Sequence, residues 1–146
     1  MSTTAEIATA KFLSGYNCAQ AVMYAFCSEA GLDENLALKI ATGLGAGMGR
    51  KQEVCGAVTG GILVLGLRHG RGSNEDRSAT EQTYLRTREL MDRFAAKHGS
   101  CLCGQLLEGY DLATEEGQRR AKADGVHDRI CRPCVQTVVE ILEQMK

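Results

Sequence analysis

The chain has no tryptophan, a single proline and an aromatic fraction of only 5%, and runs of alternating β-branched residues are nearly missing from it. Strands therefore have little to be made of. Long hydrophobic runs are absent too: the longest apolar stretch, Val54 to Leu67, falls short of the roughly 17 to 25 residues that a membrane-spanning helix needs. Charge of one sign is also lacking. Against 17 basic residues stand 18 acidic ones, for a net charge of -1. The basic fragments at Gly49 to Lys51, Arg68 to Arg71 and Arg119 to Lys122 are short and scattered, which removes the electrostatic case for nucleic acid or an anionic membrane surface. The opening residues, MSTTAEIATAKFLSG, have neither the basic start nor the apolar run of a signal peptide. A cytoplasmic location without membrane insertion is the expectation.

What is present is ordinary in bulk and unusual in detail. A length of 146 residues with 44% hydrophobic and 24% charged residues suits one soluble domain, residues 1–146, with its own core. The pattern predicts an all-α, single-domain bundle of about six helices. The first covers Thr4 to Leu13. The second follows the N-cap Asn17 and runs to Ala30, with Gly31 as its stop. Asp33 caps a third, in which Leu36, Ile40 and Leu44 recur at helical spacing. A fourth, starting near Lys51 or Gln52, carries the segment EVCGAVTGGILVLGL. The fifth runs from about Ser73, in a capping box with Asp76, to Lys97, with Tyr84, Met91, Phe94, Ala95 and His98 on one face. CLCGQLLEGYDL reads as a turn of helix and TEEGQRRAKADG as a polar connector. CRPCVQTVVEILEQMK reads as the last helix, with Pro133 near its start and Val135, Val138, Val139 and Leu142 on one face.

Seven of the 17 glycines lie between Gly43 and Gly61. GLGAGMGR lacks the third glycine of a dinucleotide fingerprint, and no strand precedes it, so a phosphate cradle is not the explanation. Within a helix each glycine costs about 1 kcal/mol relative to alanine. Gly56 and Gly60, with Ala57 and Gly61, would instead give the fourth helix a smooth strip on which another backbone can approach, leaving room beside Cys55. Seven cysteines need their own account in a compartment that keeps thiols reduced. Cys18, Cys55 and the pair Cys131 and Cys134 all fall at predicted helix starts, where free N–H groups favour thiolate. Cys27 lies nine residues beyond Cys18, on the opposite side of the same helix, and reads as a packing residue. His98 and His127 stand near helix ends and read as caps of carbonyls, His69 as part of a basic turn.

The segments NCAQAV at Cys18, EVCGAVTGGILVLGL at Cys55, HGSCLCGQLL at Cys103 and CRPCVQTVVEIL at Cys131 together resemble the landmarks of the C_GCAxxG_C_C family, whose members are described as redox-active. Where the family label has Gly-Cys-Ala, this chain has Cys-Gly-Ala. The resemblance spans Phe12 to Leu142 and implies redox activity centred on Cys18, Cys55, Cys103 and Cys131, with Cys101 and Cys134 as secondary candidates.

Four such sulfurs, with Gly56 and Gly60 leaving space beside them, suit an iron–sulfur cluster used for electron transfer or redox sensing with a redox partner that the sequence does not identify. Zinc ranks lower, because only CRPC has ribbon spacing. The first alternative is a thiol–disulfide oxidoreductase using Cys131 with Cys134 or Cys103. The second is a non-redox helical interaction module whose glycine strip forms a homodimer face.

Overall fold

The computed structural model describes residues 1–146. It is all-α, as the composition requires, with one isolated antiparallel bridge between Val54 and Leu102. Helix α1 spans Thr3–Leu13 and is started by Ser2, whose hydroxyl accepts from the Ala5 N–H. Asn17 and Gln20 form a reciprocal capping box at the head of α2, Cys18–Phe26. From Cys27 to Ala30 the chain tightens into a 3₁₀ turn that Gly31 closes in the left-handed region. The second helix thus follows its predicted course with a narrower last turn.

Helix α3, Glu34–Ala41, begins at Asp33 as predicted, but Leu36 and Ile40 face solvent at 46% and 49% exposure, and Ala37 and Ala41 do the packing. Small residues let α3 lie close to α2, and the larger stripe is left outside. Helix α4 spans Gly56–His69. Its start lies later than the expected Lys51 or Gln52, because Ala46, Met48, Arg50 and Gln52 all take positive φ, along with Gly47 and Gly49. That left-handed run cannot be helix.

Helix α5, Arg77–His98, starts at Asp76, which accepts from the Ser78 N–H, so the predicted box with Ser73 does not form. Leu90 and Phe94 are its buried residues, while Tyr84 is 57% exposed, which shifts the packed face from the one predicted. Cys103–Leu106 forms the single-turn α6. TEEGQRRAKADG is no connector. Thr114 accepts from the Gly117 N–H and starts α7, Glu115–Ala123, whose acidic first turn and basic last turn match the helix dipole.

The last helix, α8, Arg132–Gln144, continues from a π turn at His127–Cys131, and Pro133 is its second residue. Val135, Val138, Val139 and Leu142 are all fully buried, as their spacing predicts. Together α1, α2, α4, α5 and α8 enclose the main core of 25 buried residues, and a satellite of five, from Cys103 to Val126, sits under α6 and α7.

Two glycine contacts set the spacing. A Cβ on Gly60 would stand 2.9 Å from the Ala19 carbonyl oxygen, and one on Gly56 would stand 3.3 Å from the Ala19 nitrogen. Helices α2 and α4 therefore touch backbone to backbone. Gly61 faces the other way, toward Val138 and Leu90. All three glycines are buried inside the chain, so the strip is not available as a homodimer face. No helix is long and apolar enough to cross a membrane.

Candidate functional site

The close packing of α2 on α4 brings two helix starts together, with Cys18 as the first residue of α2 and Cys55 as the N-cap of α4. Cys103 reaches the same place by a different device. The Cys55 N–H donates to the Cys101 carbonyl at 2.7 Å, Cys103 N–H to Glu53 at 2.6 Å and Gly104 N–H to Gln52 at 2.9 Å. This short ladder holds the strand-like approaches to α4 and α6 side by side. Gly47 makes room for it: in its left-handed conformation, a Cβ there would lie 2.8 Å from the Cys103 Cβ. Gln52 then ties the ladder to the next loop, its side chain donating to the Tyr110 carbonyl and accepting from the Leu112 N–H, both at 2.9 Å.

The fourth sulfur comes with the π turn before α8. Cys131 and Cys134 stand one helical turn apart and present both sulfurs to the same side. All five of Cys18, Cys55, Cys103, Cys131 and Cys134 line one half-open cavity of about 870 Å³. Cys134, a secondary candidate from sequence, thus stands with the four principal ones, as does Gly56; Gly60 lies one turn deeper, under Ala19. Cys101 is outside the cavity, with its thiol donating to the Met91 carbonyl at 3.3 Å. Cys27 is also apart, buried and bonded to the Tyr24 carbonyl at 3.2 Å. All seven cysteines are free thiols.

Within the cavity the sulfurs stand in pairs. Cys18 donates to Cys131, which keeps the Cys18 thiol protonated well above the usual range, and burial adds to this. The same contact, with the His127 ring beside it, holds Cys131 down at about 6 against the penalty of burial. Cys134 donates to Cys55 and is itself pushed up. Cys55 is lowered by that contact, and the amides of Ala57 and Val58 in the first turn of α4 act in the same sense. Burial pushes Cys103 up to about 12, with the neighbouring Cys55 and Cys131 sulfurs adding to it. The helix-start argument for thiolate therefore holds for Cys55, where first-turn amides contribute; Cys131 is lowered by Cys18 and His127 instead, and the argument fails for Cys18 and Cys134, where the neighbouring sulfur is the stronger influence.

His127 is the site residue that the sequence reading misses. It caps no carbonyl with its ring; it faces Cys131 and stands edge-on to Phe12 at 6.2 Å between centroids. Helix periodicity would relate it to Cys131, four residues on, only if the helix were known to begin at His127. His98 is satisfied elsewhere, at 2.8 Å from the Thr137 hydroxyl.

The donor set can be tested against a metal group. No three Cys, His, Asp or Glu side chains converge closely enough to hold one ion. A tetrahedral zinc, which needs four sulfurs about 2.3 Å from a single point, is therefore a poor fit. A cluster distributes its thiolates over several irons, and the five sulfurs that line one cavity supply the number of ligands it needs.

The family model described as "Putative redox-active protein (C_GCAxxG_C_C)" matches residues 16–145 of the chain. No curated protein and no solved structure matches it.

Proposed function

Because the chain belongs to the C_GCAxxG_C_C family, described as "Putative redox-active protein", we propose that the sulfur-lined cavity is its redox centre, and that Cys18, Cys55, Cys103 and Cys131 hold an iron–sulfur cluster, with Cys134 as the fifth sulfur in reach. The observation that carries this reading is the convergence of five sulfurs from α2, α4, α6 and α8 on one partly enclosed space. A bound cluster would supply one-electron transfer. The chain's own residues do the rest. Cys55 and Cys131 are biased toward the thiolate that iron requires, the Ala57 and Val58 amides favour negative charge on sulfur, and Leu107 and Leu112 screen one wall from water. Electron transfer or redox sensing is the activity that follows.

The contact between Cys18 and Cys131 also favours a second reading, thiol–disulfide exchange. The Cys131 thiolate attacks a substrate disulfide and expels one substrate thiolate. Cys18 then gives up its proton, attacks the Cys131 sulfur and releases the second substrate thiolate, leaving a Cys18–Cys131 disulfide and a substrate reduced by two electrons. In this version the resolving thiol is Cys18, because it, and not Cys134 or Cys103, donates to Cys131.

Protein purified without oxygen separates the two. Under the first reading it is brown, with iron and sulfide in stoichiometric amounts, and Cys55→Ser removes the colour. Colourless protein free of iron and sulfide, in which mild oxidation removes two alkylatable thiols at Cys18 and Cys131, supports the second and overturns the first.

A further inference from the structure

The sulfurs occupy only the floor of the cavity. Cys55, Cys103 and Cys134 are no more than 7% exposed. Above them rises an apolar wall in which Phe12, Leu106, Leu107, Leu112 and Ile130 come from separate parts of the chain. At the mouth the lining changes character. Arg50 and Lys122 both reach it and both are exposed. Neither enters an ion pair, since the five in the structure engage Arg68, Lys146, Arg77, Arg93 and Arg132. A third cation, Lys11, stands 4.7 Å above the ring of Tyr16, which also lines the opening. The single acid in the lining, Asp128, is already paired with Arg132 at 2.8 Å. The cavity thus grades from sulfur through hydrocarbon to unneutralised positive charge.

We propose that this cavity binds a small organic anion, with its apolar body against the wall, its acid group between Arg50 and Lys122, and its far end directed at the sulfurs. The volume falls in the range of small-molecule pockets, which are mostly apolar with a few placed polar groups. It far exceeds what the sulfur site itself requires. An inorganic anion would use the rim and leave the wall wet. A neutral molecule would use the wall and ignore the charge. Only an amphipathic anion satisfies both. The inference stands whether the sulfurs hold a cluster or act as thiols.

Octanoate, octanol, octyltrimethylammonium and inorganic phosphate serve as probes, titrated calorimetrically into the purified protein at low salt. Octanoate is expected to bind, octanol about tenfold more weakly, and the other two more weakly still, as two exposed cations acting together would give. Added salt narrows the gap. The double variant Arg50→Gln/Lys122→Gln, altered only at exposed positions, should bring octanoate to the level of octanol. In reduced, metal-free protein, octanoate should slow alkylation of Cys18 and Cys131. Equal binding of octanoate and octanol, an unchanged affinity in the double variant, or unprotected thiols would each overturn the proposal.

Discussion

Replacing Gly60 by alanine tests the physical basis of the site most directly, and Gly66 supplies the control within the same helix. Both lie in α4, so either substitution gains the same helix propensity, about 1 kcal/mol. At Gly66 a new methyl meets nothing within 4 Å, and Gly66→Ala should be stabilising by nearly that amount. At Gly60 it meets the Ala19 carbonyl oxygen at 2.9 Å, Cα at 3.0 Å and carbonyl carbon at 3.3 Å. These are backbone atoms, which no rotamer change can move aside. The propensity gain cancels in the comparison, leaving overpacking alone, about 1–3 kcal/mol. Urea unfolding of the reduced, metal-free proteins, followed by helical circular dichroism, should show Gly60→Ala less stable than Gly66→Ala by that margin with equal m-values. The melting temperatures should differ by about 3 °C or more. Because Ala19 follows Cys18 and Gly56 follows Cys55, the same displacement should lower metal or disulfide yield at the site. Equal stability of the two variants would show that α2 and α4 are not held at backbone contact, and the account of the site would fail with it.

Three further outcomes are expected. With Cys131 held down at about 6 by Cys18 and His127, it should be mostly thiolate at pH 7 in metal-free protein; the earliest inflection in a pH profile of alkylation should lie near 6 and map to Cys131, and His127→Ala should move it upward, whereas a first inflection near 9 contradicts the assignment. Arg68 joins α4 to α8 through the Leu142 carbonyl at 2.8 Å and to Glu29 at 2.6 Å, so Arg68→Met should cost about 1–2 kcal/mol after allowance for partial exposure. Although burial raises the Glu29 carboxyl, Arg68 and then Lys146 hold it below its ordinary value, so its contribution is complete above that value and drains as pH falls through the folded one; the gap between wild type and Arg68→Met should shrink on acidification, and a gap that widens refutes the pairing. Cys27→Ala should lower stability by about 1 kcal/mol and leave the redox centre intact; loss of iron or of the switching thiols in that variant would place Cys27 in the site after all.

Much of the helical framework is legible because its punctuation is chemical. Asn17 and Asp33 announce their helices with side chains that accept N–H bonds, and Gly31 and Gly99 end theirs in the left-handed region. The start of α4 is not legible, because Met48, Arg50 and Gln52 adopt positive φ without being residues that prefer it. Hydrogen bonds across the loop close that conformation, from Gln52 N–H to Ala46 and from Glu53 N–H to Gly47. Helix α7 is hidden for the opposite reason. Its buried face is only Gly117 and Ala121, too small a stripe to register as periodicity, although Thr114 and the charge order along it were available signs. At the site, Cys134 is legible in principle, since three residues from Cys131 on a helix means the same face. His127 is not, because the π turn that aims it at Cys131 has no signature in composition.

The glycines and the cysteines answer to one electrostatic demand. Backbone contact at Gly56 and Gly60 forces the first turns of α2 and α4 together, and each of those turns ends in unpaired N–H groups that carry partial positive charge. Two positive helix ends at close range repel unless something negative lies between them. Cys18 and Cys55 occupy those two ends, and Cys131 enters from α8 at the same level. Sulfur is the side chain that can meet the demand while buried, since its anion is large and easily desolvated compared with a carboxylate. A lone thiolate there would be neutralised by its neighbours' protons, in keeping with the raised thiols of Cys18 and Cys134 beside Cys131 and Cys55. Iron in place of those two protons would leave the helix ends facing thiolate charge, whereas a disulfide would relieve the crowding of sulfurs and remove that charge. The glycine contact that weakens α4 in isolation is thereby what brings the sulfurs together.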